Sequence, residues 1–242
     1  MAEPVNTSGP GETEIPQAAL TNSSLLPRVW DTLSRVKTLI VVVGLLYIAC
    51  IGGGVATGRL MPAAWQDSLA RLEKQQSAQI ENVFGRFREP VREGQWGAIL
   101  ACSGLVLLLN LFGNLTQFTV LSILIVPAFF TLGLGGWLQG ISLAGVHASS
   151  GLSMGLFLLM GGLEWITYVL ATVAGVNIGL SVLMPQRQAA ETRVLAFKRA
   201  WGEAGRLYLV IIGILAVQAV FEMLYVRKVL LMGGSGVPLM PY

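Results

Sequence analysis

Charge is what this sequence lacks most. Only 12% of its 242 residues are Asp, Glu, Lys or Arg, against roughly 25% in a soluble domain. From Gly94 to Gln186 a single formally charged side chain occurs, Glu164. A gap that long excludes a surface facing water, so the segment belongs in lipid or against other membrane helices. Histidine is nearly absent: His147 is the only one. It has no Cys or His cluster near it, so no metal site is expected, and a Ser–His–Asp set has little to draw on. Cysteine is scarce too. Cys50 and Cys102 sit in apolar runs and read as small buried hydrophobes rather than a disulfide framework. No Walker A loop, dinucleotide fingerprint, HExxH or Gly-x-Ser-x-Gly occurs. Neither an enzyme nor a cofactor is therefore expected. The net charge of +3 lies in short flanks rather than one patch, which argues against nucleic acid.

What is abundant is apolar sequence, 54% of residues, and glycine, 29 residues. This combination suits close helix packing in a bilayer. The expected fold class is all-α: a polytopic membrane helical bundle of five spans, a short re-entrant or half helix, and an amphipathic surface helix. Residues 1–27 read as a disordered polar tail without the pattern of a secretory signal. Residues 28–59 hold the first span, Thr38 to Ala56, long enough to cross. Arg28, Arg35 and Lys37 precede it, which favours a cytoplasmic N-terminus in a plasma membrane. Residues 60–93 carry frequent charges, with Trp65, Leu69, Leu72, Ile80, Val83, Phe84, Phe87 and Val91 at helical spacing. They read as an amphipathic helix on the membrane or a docking surface for a partner.

Residues 94–185 form the membrane core. Trp96 to Leu111 and Phe118 to Leu138 read as two spans, with a tight polar turn between them at Asn110, Asn114, Thr116 and Gln117. Pro127 should kink the second. The 34 residues from Gly151 to Met184 would make a straight helix of about 50 Å, too long for a core of about 30 Å. The Gly161-Gly162 pair is the expected break. It would leave a half helix, Leu152 to Met160, and a full span from Leu163 to Met184. A basic linker, 186–206, and a last span, Leu207 to Val226, complete the reading, with a Gly-rich tail to residue 242. Basic residues divide evenly between the two sides, so orientation rests on the first helix and the late linker.

Glu164 is the residue most in need of explanation, because an ionisable group inside a span is costly and rarely faces lipid. Just after the expected break it would lie in the first turn of a helix, where free N–H groups stabilise a carboxylate. It then reads either as a polar site within the bundle or as a helix cap. Glu222 lies about one turn from Arg227 and reads as an interfacial carboxylate. Asn110, Asn114, Gln139 and Asn177 can hydrogen-bond between helices. Small residues recur four apart: Gly54 and Gly58; Gly136, Gly140 and Ala144; Gly151 and Gly155; Ala171, Gly175 and Gly179. They favour a compact bundle and leave homo-oligomerisation open.

The stretch from Asn110 to Gly179 resembles the stage II sporulation protein M family of bacterial integral membrane proteins. Four ordered pieces carry the likeness. They are Asn110-Leu-Phe-Gly-Asn114, Gln139-Gly140 with Ala144 beyond, Gly161-Gly-Leu-Glu164, and Gly175-Val-Asn-Ile-Gly179. Met160 stands where the family usually has His, Gln139 where it has Asn, and Ala144 where it has Gly. The resemblance implies a bundle of five or six spans that anchors partner proteins, peptidoglycan-remodelling proteins among them. A transporter-like role, beside an ATP-binding cassette (ABC-type) subunit, is the alternative reading. Glu164 and the amides would then line a polar path.

Overall fold

The computed structural model describes residues 25–60, 85–145 and 151–231, and every described element is helical. The long helices are α1 (Leu25–Leu60), α2 (Trp96–Gly113), α3 (Val126–Gly145), α4 (Gly151–Leu183) and α5 (Arg193–Leu231). A short helix, Arg88–Arg92, precedes α2. Among the described residues five helical segments are long and apolar enough to cross a membrane: Leu25–Leu60, Trp96–Leu124, Val126–Ala144, Gly161–Leu183 and Arg193–Lys228. The chain is a multi-pass membrane helical bundle, as the runs of apolar sequence imply. Most of the proposed amphipathic helix, residues 61–84, the proposed disordered tail up to residue 24, and His147 lie outside the described residues.

The bundle is built around α4. In α4, 78% of the most apolar window is buried, against at most 39% in any other span. Its neighbours are α1, α3, α5 and the end of the second span. The outer helices turn large apolar side chains outward, among them Leu45, Ile48, Leu108, Phe112 and Phe130. In water such a surface would be a liability; in a bilayer it is the face that meets lipid. Apolar burial then adds little to helix association, so packing and hydrogen bonds must supply the specificity.

Small residues supply the packing. Gly54 of α1 lies against the Trp137 carbonyl and the Gly140 Cα of α3, and Gly58 lies against Ala144 and Ile141. Gly140 in turn lies on Ile51 and Gly54, and Gly136 seats the Tyr47 ring. Gly175 and Gly179 of α4 lie against the backbone at Thr119 and Ile123. Three of the four small-residue sets are therefore used inside the bundle. Gly155 of the fourth set has no neighbour among the described residues within 4 Å of where a Cβ would stand.

Four expectations need correction. First, no turn forms at Asn110–Gln117. The α2 helix continues as a π-helix, Asn114–Val120, and a 3-10 turn, Leu121–Leu124. The polar side chains serve the helix itself: Asn114 Nδ2 donates to the Asn110 carbonyl at 2.9 Å, and Thr116 to that of Phe112 at 2.8 Å. The chain reverses instead at Ile125, which has a positive φ of 56°. Second, Pro127 does not kink a span. It is the second residue of α3, where a missing N–H costs nothing.

Third, α4 is one helix of 33 residues, with no break at Gly161-Gly162 and no separate half helix at 152–160. Two glycines weaken a helix by about 2 kcal/mol in all. Breaking it inside the bilayer would leave several backbone groups unpaired, at several kcal/mol each, so the helix continues. Among the described residues, Gly162 has no neighbour within 4 Å of a Cβ position, and the atoms nearest Gly161 belong to Trp165 of its own helix. Fourth, the basic segment is linker only as far as Thr192. The α5 helix starts at Arg193 and runs for 39 residues. Thr192 caps it, its Oγ1 accepting the Leu195 N–H at 3.2 Å.

Candidate functional site

Continuity of α4 changes what Glu164 is. The residue lies inside the helix rather than in a first turn, so no unpaired N–H groups surround it. It is 2% exposed. Its carboxylate accepts a hydrogen bond from Tyr168, one turn further along the same face. Thr167 Oγ1 donates to the Glu164 backbone carbonyl at 2.8 Å. The Tyr168 ring stacks on Phe118 at 4.3 Å between centroids and meets the Tyr47 ring edge-on at 6.4 Å. Tyr47 in turn donates to Gln139 Oε1 of α3. Glu164 is thus the centre of an aromatic and polar assembly drawn from α1, α3, α4 and the π-helix.

The facing surface comes from α5. Leu207, Ile211, Leu215, Gln218 and Glu222 follow at spacings of three and four and are all buried. They form one stripe, since residues so spaced share a helix face. The first three pack with Tyr168 and Val169 of α4. Gln218 and Glu222 continue that stripe along α5. Glu222 is 2% exposed. It is buried among the helices rather than exposed as an interfacial carboxylate would be, and the Arg227 guanidinium lies against Gly94.

A second polar centre lies nearer the other end. Glu203 of α5 is buried. Its Oε1 accepts Arg35 Nη1 at 3.0 Å, and its Oε2 accepts Asn177 Nδ2 at 2.9 Å and Gln188 Nε2 at 3.0 Å. One carboxylate thereby ties together α1, α4, α5 and the loop between the last two. Arg206 Nη1, on the same end of α5, donates to Thr32 of α1 at 3.2 Å. Between the two centres Thr119 Oγ1 donates to the Ala171 carbonyl at 2.9 Å. It has one proton to give, so Tyr208 donates to it at 2.7 Å.

The amides marked in the sequence therefore divide. Gln139 joins the Glu164 assembly through Tyr47. Asn177 belongs to Glu203. Asn110 and Asn114 serve the end of α2, and Asn114 Oδ1 is buried without a hydrogen-bond partner. Of the marked glycines, Gly140, Gly175 and Gly179 are interhelical contacts. Glu203, Gln218, Tyr168 and Tyr47 were missed. The signal that finds the first two is the buried stripe of α5, into which both fall. No group of three or more His, Cys, Asp or Glu able to hold a metal ion occurs among the described residues.

Comparisons with family models, with curated proteins and with solved structures give no match.

Proposed function

We propose that this chain is an integral membrane anchor of the stage II sporulation protein M type, organising partner proteins at the bacterial cell membrane, with peptidoglycan-remodelling proteins as the partner class. The observation that carries this reading is the interlock of the bundle. α1 and α3 touch backbone to backbone, α4 does the same with the end of the second span, and Glu203 ties α1, α4 and α5. Helices so fixed suit a platform that holds others in place. Alternating access needs one part of a bundle to rock against another. The four sequence pieces that resemble the family support the same assignment, and Glu164 and Gly161 are retained in them.

The membrane subunit of a transporter or permease-like complex, paired with an ABC-type subunit, is the second reading. It is favoured by the buried carboxyl groups of Glu164 and Glu222 and the buried amide of Gln218, all within membrane-spanning helices.

Co-purification separates the two. The full chain and a variant lacking residues 62–92 are isolated from native membranes after cross-linking, and bound proteins are identified by mass spectrometry. The expected result is a peptidoglycan hydrolase held by the full chain and recovered about tenfold less with the deletion. Equal recovery would remove the anchor reading as stated. An ATP-binding subunit in place of the hydrolase would establish the second.

A further inference from the structure

The seam between the N-terminal parts of α1 and α5 carries more positive charge than the protein neutralises there. Residues 25–37 and 184–206 hold eight basic side chains against three acidic ones, Asp31, Glu191 and Glu203. Two arginines are drawn across the seam. Arg35 of α1 reaches Glu203 of α5 at 3.0 Å, and Arg206 of α5 reaches back to Thr32 of α1 at 3.2 Å. Glu203 is engaged by Arg35, Asn177 and Gln188. The hydrogen bond of Arg206 goes to a neutral hydroxyl, whose own proton is given to the Arg28 carbonyl at 2.9 Å. Among the described residues no carboxylate pairs with Arg206. The seam also lies at headgroup depth. Arg206 is the last charge before the apolar run 207–221, and Lys37, two residues beyond Arg35, is the last before the run 38–58. Both helices therefore enter hydrocarbon just past the two arginines. Trp30 and Trp201 are exposed on the same end, as tryptophans at a membrane–water boundary are.

We propose that the α1–α5 seam binds the headgroup of an anionic phospholipid, with Arg206 and Arg35 taking its phosphate. Each guanidinium spends Nη1 on the protein. Its Nη2 and Nε donors remain, and a guanidinium edge of that kind grips a phosphate as a fork. Charge selects the lipid class. A zwitterionic headgroup brings a cation of its own, which the surplus at this end repels, whereas a headgroup of net negative charge meets that surplus. The same two helices expose Val41, Leu45, Leu209 and Ile212 beyond the arginines, a surface suited to acyl chains. The site is the same for an anchor and for a transport subunit, so its failure would leave the choice between them untouched.

Native mass spectrometry of the full chain in detergent tests this, with phosphatidylglycerol and phosphatidylcholine of the same acyl chains as probes. The first phosphatidylglycerol should bind about tenfold more tightly than the first phosphatidylcholine. R206Q and R35Q should each weaken it about fivefold, the loss expected for one arginine at a membrane surface. R59Q, at the opposite end of α1, should leave it unchanged. Millimolar inorganic phosphate should not displace the lipid, since phosphate lacks the acyl chains. The first 24 residues carry Glu3, Glu12 and Glu14 and no basic residue, which makes them the competing occupant. Replacing all three, E3Q with E12Q and E14Q, should leave lipid affinity as it was. Equal affinity for the two lipids, loss with R59Q but not with R206Q or R35Q, displacement by phosphate, or a gain on neutralising the three glutamates would each overturn the proposal. R35Q leaves Glu203 its two amide donors, so it decides the matter should R206Q fail to fold.

Discussion

Gly140→Leu should abolish recovery of a folded, monodisperse protein, while Gly135→Leu on the same helix should shift its melting temperature little. A Cβ on Gly140 would fall 2.8 Å from the Gly54 Cα and closer still to the Ile51 carbonyl oxygen; one on Gly135 meets nothing within 4 Å. Overpacking against yielding side chains costs about 1–3 kcal/mol. Here the obstacle is backbone, so α1 and α3 must separate and the cost exceeds the usual range. Separation would also expose the Tyr47–Gln139 hydrogen bond and the Trp137 Nε1 bond to Thr57, 3.2 Å long. Thermal unfolding followed by size exclusion of the two variants measures the difference. Equal melting would mean that the two helices are not in contact.

The second large effect belongs to Glu203. Glu203→Ala removes the acceptor for Asn177, Gln188 and Arg35 together, and should cost about 3 kcal/mol or more, as loss of one partner from a buried ionic network does. Arg35→Ala should cost only about 1 kcal/mol or less. Its side chain is 68% exposed, and the carboxylate keeps its two amide donors. Glu203→Gln should fall between, since an amide keeps one acceptor oxygen. Chemical or thermal unfolding in detergent ranks the three. A loss at Arg35 equal to that at Glu203 would show that the ion pair, not the amide contacts, holds this end of the bundle.

The spans were legible because charge and apolar length are bilayer rules that act on each segment alone. Thr38–Ala56, Trp96–Leu111 and Leu207–Val226 all fall within observed helices. The glycine faces were legible for the same reason: a four-residue period marks one helix face whatever lies opposite. What the sequence hid was context. Gly161-Gly162 resembles a break only until the cost of unpaired backbone in lipid is weighed against the modest helix penalty of two glycines. Asn110 to Gln117 resembles a turn because amides favour turns in water, yet within a bilayer Asn114 turns back on its own helix. Arg193 to Arg206 reads as linker by charge, but its Ala196, Ala200 and Ala204 face the bundle and continue the buried stripe of α5. Glu203 and Glu222 are parts of that stripe, and only the partner helix reveals what they meet. Glu164 was found by rarity. Its neighbours could not be, because Tyr47 and Phe118 reach the Tyr168 ring beside it from distant parts of the chain.

Five spans place Arg35 and Arg199 at one end of the bundle, and Arg59 and Arg92 at the other. Thiol accessibility tests this arrangement most directly. In a Cys50→Ala, Cys102→Ala background, single replacements Arg35→Cys, Arg199→Cys, Arg59→Cys and Arg92→Cys are treated with a membrane-impermeant maleimide in sealed vesicles of one orientation. The expected result is that positions 35 and 199 label from one side only, and positions 59 and 92 from the other side only. Labelling of 35 and 199 from opposite sides would contradict five spans and, with them, the burial of Glu164 within the bundle.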